Sequence, residues 1–372
     1  MQSKTDLVTF SHLRWNFVYQ RPQHIISRFT KLYRVFYIEE PVFNKKPDGY
    51  EVTLSPSGVR IMTPHLHDED HSCMHGRLQR VIDAIFGTYN IQSFYAWYYT
   101  PMALEYTRHL QPEMTIYDCM DELAAFKDAP AAMLTLENEL LEKAAIVFTG
   151  GQSLYNAKKH RHSNMHCFPS SIDKEHFFRA RNMWYDLPDQ TAIPFPRFGF
   201  FGVIDERLDI DLIETLAVRK PEWQFIFIGP VVKIDPERLP RHQNIHYLGM
   251  KRYEDLPGYI STWDVAILPF ALNMHTQFIS PTKTPEYLAA GKPVIATAIT
   301  DVVTPYGDMG LVDIADTVDD FIKYGELELV TYDARRVERT DDFLETLSWD
   351  HTWAGMNLCI ADTINDTQLQ KV

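Results

Sequence analysis

Short apolar runs alternate with amphipathic stretches along the whole chain. LVTF, Leu7 to Phe10, reads as a first strand. Behind it Pro22 suits a helix start, and Ile25, Ile26, Phe29 and Leu32 follow at helical spacing. RVFYIEEP predicts a second strand. SFYAWYY predicts another that leaves into a helix after Pro101, and TIYDC one with Asp118 and Asp121 at a helix entrance. Leu134 to Lys143 reads as helix, and AAIVFT as a strand before the Gly150-Gly151 turn and a further helix. Between these, Asn44 to Met74 has little periodicity; its turn residues, Pro47-Asp48-Gly49 and Pro56-Ser57-Gly58, predict modest strands and loops.

The second half repeats the plan after the proline-rich segment DLPDQTAIPFPRFGF. Phe198 to Phe201 is a strand, Gly202 permits close backbone approach, and a helix begins around Asp209. WQFIFIGP is a buried strand ending at Gly229-Pro230, and NIHYLGMKRYEDLPGYISTWDVAILPF supplies strand, short helix and strand. In FISPTKTPEYLAAGKPVIAT, Pro285 suits a first helical turn, Gly291 a left-handed exit, and Pro293 stops the helix before the apolar run PVIAT. Trp349, Trp353, Met356, Leu358 and Ile360 lie on a last helical stretch. Strands and helices in alternation predict an α/β protein with parallel sheets.

A length of 372 residues suggests two domains of ordinary size, and 45% hydrophobic with 13% aromatic residues suits a globular enzyme. The formal charge of −14 argues against a general nucleic-acid binder and against broad adhesion to anionic lipid. Cys73, Cys119, Cys167 and Cys359 are scattered without metal or disulfide spacing, so a reducing compartment is expected. MQSKTDLVTF lacks a signal-peptide core and no run approaches membrane-spanning length, so a cytoplasmic protein is expected.

Chemistry concentrates in three places. Ser280, Thr282, Lys283 and loop amides lead into the helix that carries Glu286, a place for an anion such as phosphate. The loop before Ile25 holds His12, Arg14, Trp15, Asn16, Arg21 and Gln23, which suit a glycan, with Trp15 either stacked on sugar or folded into a core. Asp118 either contacts a sugar from its strand end, or it or Asp121 merely caps a helix. Four histidines, His65, His67, His71 and His75, invite a zinc reading, but their loose spacing better suits a polar surface loop.

The run Pro281-x-Lys283-x-x-Glu286-Tyr287, followed by a small-residue helix and Gly291-Lys292-Pro293-Val294, resembles the donor segment of retaining GT-B glycosyltransferases, the group 1 or family 4-like enzymes. HCFPSSIDKEHFF resembles that family's end-of-domain segment, and SHLRWNFVYQRPQH the opening of a bacterial subgroup. The resemblance implies two Rossmann-like domains with parallel sheets facing across a cleft. Residues 1–178 would form the acceptor domain, completed by a helix over 350–372, with a linker at 179–196 and a donor domain at 197–349.

It further implies transfer of a sugar from a nucleoside diphosphate, UDP favoured, to a hydroxyl of a glycan, a lipid-linked or a small-molecule acceptor. Configuration would be retained, with no metal or other cofactor and at most peripheral membrane contact, in polysaccharide or glycoconjugate synthesis. Arg207, Lys283 and Asp118 would serve catalysis. Gly202, Arg207, Gly249, Ser280, Pro281, Thr282, Lys283 and Glu286 would bind donor, and His12, Arg14, Trp15, Arg21 and Gln23 acceptor. A different reading of Arg207 pairs it with Asp205 or Asp209 at the surface. Many relatives carry a second glutamate eight positions before the first; here that position is Phe278. Alternatives are a sugar-nucleotide epimerase of the same fold and a non-catalytic glycan- or nucleotide-binding protein. A nicotinamide dehydrogenase is disfavoured, because no Gly-x-Gly-x-x-Gly follows the first strand.

Overall fold

The computed structural model describes residues 5–69, 73–127, 129–183 and 185–369. The chain forms two units, Met1–Pro169 with Asp350–Val372, and Ser170–Trp349.

The first unit is built on nine strands: β1 (Asp6–Ser11), β2 (Arg34–Glu39), β3 (Val42–Asn44), β4 (Gly49–Leu54), β5 (Arg60–His67), β6 (Phe94–Tyr98), β7 (Met114–Cys119), β8 (Ile146–Thr149) and β9 (Met165–Cys167). Their order is β3-β5-β2-β1-β6-β7-β8-β9, and β4 pairs with β5. That β4–β5 pair is antiparallel; the other pairs are parallel. Every residue of β1 is buried, as a strand covered on both faces requires. The first helix runs Arg21–Phe29 and stops there, so Leu32 falls outside it and is exposed. The chain returns at its end: Met356 and Ile360 of the helix Trp349–Leu369 are buried, Trp353 packs edge-on against Phe29, and Arg28 pairs with Asp350 at 2.9 Å.

One expected helix does not form. After Asp121 the chain makes only the turn Leu123–Ala125, none of whose residues is buried. Without an apolar face to bury, nothing offsets the cost of ordering a helix there.

The second unit has six parallel strands, β10 (Arg197–Phe201), β11 (Gln224–Ile228), β12 (Ile245–Gly249), β13 (Val265–Leu268), β14 (Val294–Ala296) and β15 (Asp313–Ile314), in the order β12-β11-β10-β13-β14-β15. Aromatic packing fills the space beneath β10. Phe198 stacks on Trp223 at 4.1 Å, and a Cβ on Gly199 would lie 2.0 Å from the Trp263 ring. The division between units falls at 169/170, rather than at 178 followed by a linker over 179–196. Its physical reason is plain, because Ile172, Phe177, Ala180 and Ile193 pack into the core of the second unit.

Candidate functional site

In the second unit β10 and β13 are neighbours in the sheet although β11 and β12 come between them in sequence. The chain therefore leaves these two strands in opposite directions, and the loops at their carboxyl ends flank a crevice, the usual ligand position in such sheets. Backbone bonds stitch the two loops together. Asp209 N–H donates to Pro269 O at 2.8 Å and Ala271 N–H to Arg207 O at 2.8 Å, with a bridge between Leu208 and Phe270.

Gly202 begins the first loop with φ +149°, and its N–H donates to Ile228 O at 2.9 Å. A Cβ on Gly229, whose φ is +148°, would lie 1.8 Å from Gly202 O, so two backbones touch where only glycine allows it. Lys283 reaches the same place: its Cε stands 3.1 Å from where a Cβ of Gly202 would be. The Lys283 Nζ donates to Thr282 Oγ1 at 3.1 Å and lies 5.8 Å from the centre of the Phe201 ring.

Lys283 opens the short helix Lys283–Ala289, so Glu286 sits in its first turn, and Gly291 leaves it with φ +74°. Glu286 is buried, and its Oε2 has no hydrogen-bond partner among the described residues. Burial pushes its carboxyl up to about 8; Lys283 pulls against that shift and Asp173 adds to it. An isolated carboxylate in such a place is costly, so the group holds its proton until something polar reaches it. Thr284 Oγ1 is likewise buried and unpartnered. Around them, Ser280 O accepts from Ser170 Oγ at 2.8 Å, Pro281 O from Thr284 N–H at 3.3 Å, and Gly249 O, at the end of β12, from Gly229 N–H at 3.0 Å. Phe278 is half-buried on the loop before Ser280.

Arg207 lies in the stitched loop, but Asp205 holds it. Its Nε donates to both carboxylate oxygens at 3.0 Å and its Nη2 to one at 2.7 Å. The pairing with Asp205 is thus present, though Asp205 is buried and only Arg207 is partly exposed. Two further features of the site escaped the sequence reading. Tyr287 accepts the Phe201 N–H at 2.8 Å and so ties the helix to the end of β10, and both carboxylate oxygens of Glu206 are buried without a partner among the described residues. The adjacent Glu286-Tyr287 pair was a signal for the first; Glu206 had none.

The first unit corrects several expectations. Asp118 is fully buried inside β7, and Arg21 donates to it through Nε at 3.1 Å and Nη2 at 2.9 Å, while Arg21 Nη1 donates to Phe168 O at 2.7 Å. This pair spends both side chains on each other, and Asp118 caps no helix. Burial raises the Asp118 carboxyl even so, with Arg21 opposing the shift. Gln23 is also buried. Its Oε1 accepts from Gln20 N–H at 3.1 Å and its Nε2 donates to Trp15 O at 2.6 Å, so it closes the helix start rather than meeting a ligand.

Trp15 takes the core reading, edge-on to Tyr37 at 4.9 Å, and its backbone N–H donates to Glu39 Oε1 at 2.7 Å. Arg14 is half-exposed and spent on Glu39 Oε2 at 3.2 Å and the carbonyls of Glu40 and Pro41. His12 stays half-buried just beyond β1. The histidines of the zinc reading diverge: His67 Nδ1 accepts from Glu69 N–H at 3.3 Å, His75 meets Glu105 at 3.1 Å, and His71 lies outside the described residues.

Known proteins resemble this chain in sequence and in fold. Residues 196–324 match the family Glycosyl transferases group 1. TuaH of Bacillus subtilis (strain 168), whose name assigns it provisionally to teichuronic acid biosynthesis as a glycosyltransferase, is 25% identical over 204 residues. That alignment takes in 50% of this chain and spans only half the length of that relative, 50%. Sucrose-phosphate synthase from Thermosynechococcus elongatus superposes with a TM-score of 0.71 at 13% identity, covering 97% of this chain and 100% of that one. The E. coli trehalose-6-phosphate protein bound with UDP-2-fluoro glucose gives 0.70 at 11%, covering 97% and 99%. HepE from Anabaena, in complex with UDP and glucose, gives 0.63 at 12%, covering 96% and 99%. Identities this low speak for the fold alone, which is GT-B. Among the described residues no helix is long and apolar enough to cross a membrane. The chain thus has the GT-B fold, and residues 196–324 of its second unit match the family Glycosyl transferases group 1.

Proposed function

We propose that this chain is a glycosyltransferase that moves a sugar from a nucleoside diphosphate, UDP, to a hydroxyl acceptor with retention of configuration. The observation that carries the reading is Glu286, a buried carboxyl with an unpartnered oxygen beside Lys283 at the crevice of the second unit. A ribose offers neighbouring hydroxyls that satisfy such a group. Lys283 then lies toward the diphosphate, with Ser280, Pro281 and Thr282 supplying loop backbone and Gly202 room for close approach. Arg207 joins it by exchanging Asp205 for phosphate, which matches a guanidinium fork equally well. Both cations offset charge that grows on the departing diphosphate, the usual source of rate in such transfers. Gly249 borders the base. No metal enters this scheme.

The preference for UDP rests on HepE and the E. coli trehalose-6-phosphate protein, both solved with uridine nucleotides. A role in polysaccharide or glycoconjugate synthesis rests on the name of TuaH and on the resemblance in the sequence, and a cytoplasmic place on the scattered, free cysteines. The acceptor is a glycan, a lipid-linked sugar or a small molecule, bound by the first unit.

The test is a thermal-shift panel with UDP, GDP, ADP, dTDP and NAD on the wild type and Glu286→Ala. At a hundred times its dissociation constant a ligand adds about 2.7 kcal/mol. We expect a rise of a few degrees with UDP that the substitution removes. A response to NAD alone, or to none of the five, sinks the reading.

A further inference from the structure

Two adjoining cavities of about 220 and 290 Å³ open at the opposite end of the second unit's strands, before β13 and β14 rather than after them. They share a wall made by Arg181, Gly291, Lys292, Tyr332 and Val337. Nothing in the proposed transfer uses this place.

Lys292 is the reactive group on that wall. Its Nζ donates to Ser261 O at 2.8 Å and to Trp263 O at 2.7 Å. Two carbonyls take up both N–H groups of a neutral amine and leave its lone pair directed away from them. An ammonium would have a third N–H still to place. Burial accordingly holds the amine down to about 8, opposed only by Asp264. The charged neighbours are engaged elsewhere. Arg181 donates to Asp341 and to the carbonyls of Leu288 and Ala289, and Arg336 to Glu328, Asp313 and Leu311 O. Thr331, Asp333 and Glu328 add hydroxyl and carboxylate groups to the lining, which suits a small molecule rich in hydroxyls rather than an apolar one.

We propose that Lys292 is a covalent modification site for small polyhydroxy aldehydes, the open-chain forms of reducing sugars, which enter these cavities and condense with its amine. The nitrogen lone pair attacks the aldehyde carbon, and the nitrogen's proton passes to the carbonyl oxygen to give a carbinolamine. Loss of one water leaves an imine, which water reverses. No oxidant or reductant takes part. The carbinolamine keeps one N–H and the imine none, so the condensation gives up both bonds from Lys292 to its carbonyls, and Trp263, which bears one of them, packs directly beneath Gly199 of β10.

The experiment traps the imine. The intact protein is treated with glyceraldehyde and cyanoborohydride at pH 7.5, and labelled peptides are read by mass spectrometry. At that pH the neutral fraction of such an amine is on the order of a hundred times that of an ordinary lysine. After allowance for its weaker basicity we expect Lys292 to label about tenfold faster than Lys45, whose side chain is 73% exposed. The rate should reach half its maximum near pH 8, Lys292→Arg should remove that label alone, and an aldehyde-bearing dextran, too large for the cavities, should label Lys45 but spare Lys292. Labelling of Lys292 no faster than Lys45 in the wild type overturns the proposal. So does equal labelling by the dextran, which makes Lys292 a surface amine and not a cavity site.

Discussion

At the scale of single residues Glu286 carries the most chemistry, and its burial has a measurable consequence. Burial pushes its carboxyl up to about 8 in the folded chain, against about 4.3 for an unfolded glutamate. Between those values the native state holds a proton that the unfolded state has released, so stability falls as pH rises through that window. Each unit of difference is worth about 1.4 kcal/mol, part of which the coupling to Lys283 returns. Glu286→Gln keeps the shape of the protonated form and has nothing to titrate. We expect the wild type to lose midpoint temperature from pH 5 to pH 8 relative to Glu286→Gln, and saturating UDP to shrink that loss by giving the carboxylate hydroxyls to accept. Parallel pH curves for the two proteins would show that Glu286 is ionised without cost.

Single residues also mark the limit of what the sequence reveals. Arg21 and Asp118 were both assigned to sugars because each stands near a strand end with a polar side chain. They are 97 positions apart, and nothing local in either segment announces that they meet. The same holds for Gln23, whose partners Gln20 and Trp15 are close in sequence but are engaged through backbone atoms that no pattern displays. In the second unit Lys283 and Glu286 were legible because one helical turn brings them together, whatever the rest of the fold does.

Elements were more legible than partners. β1, β10, β11 and β14 are apolar runs buried along their whole length, and a strand covered on both faces has no other pattern to show. Gly202 after β10 announced close approach, and the structure gives the reason in its pairing with Gly229 after β11. A methyl at Gly229 meets Gly202 O at 1.8 Å from a backbone with φ +148°, so Gly229→Ala forces the ends of β10 and β11 apart. Gly249 at the end of β12 has φ +69° but nothing within 4 Å, so alanine there meets only the strain of the left-handed region, about 1–2 kcal/mol. We expect Gly229→Ala to cost at least about 3 kcal/mol, from overpacking added to strain, and to weaken UDP binding through the Gly202 loop. Equal midpoint temperatures for the two variants would mean that the contact relaxes freely and sets nothing at the site. Strand β4, by contrast, was legible only as modest structure, because four of its six residues are exposed and no burial pattern marks them.

At the scale of the whole molecule the units differ in how they are closed along the chain, and that difference can be cut apart. The matched family segment 196–324 omits part of the second core. Ile172, Phe177, Ala180 and Ile193 lie before it and Leu344 after it, all buried in the cluster that holds β10 to β14. Arg181 ties the earlier segment to Asp341 at 2.7 Å and to Leu288 O at 3.2 Å, so both flanks belong to one packed body. The first unit instead needs residues from the far end of the chain, because Met356 and Ile360 are buried in it and Asn164 Nδ2 donates to Thr363 Oγ1 at 2.9 Å. A fragment of residues 170–349 should therefore melt cooperatively and still be stabilised by UDP. A fragment of 196–324 should not, since losing several large buried side chains at about 2–5 kcal/mol each exceeds the stability of an ordinary domain. Residues 1–169 alone should likewise fail to give a cooperative melt and recover it when 350–372 is supplied. If 196–324 melts as sharply as 170–349, the flanking residues are ornament on a smaller folding unit, and the donor site belongs to that unit alone. If 170–349 folds but ignores UDP while the whole chain responds, the crevice at β10 and β13 is an incomplete site, and binding needs residues of the first unit as well.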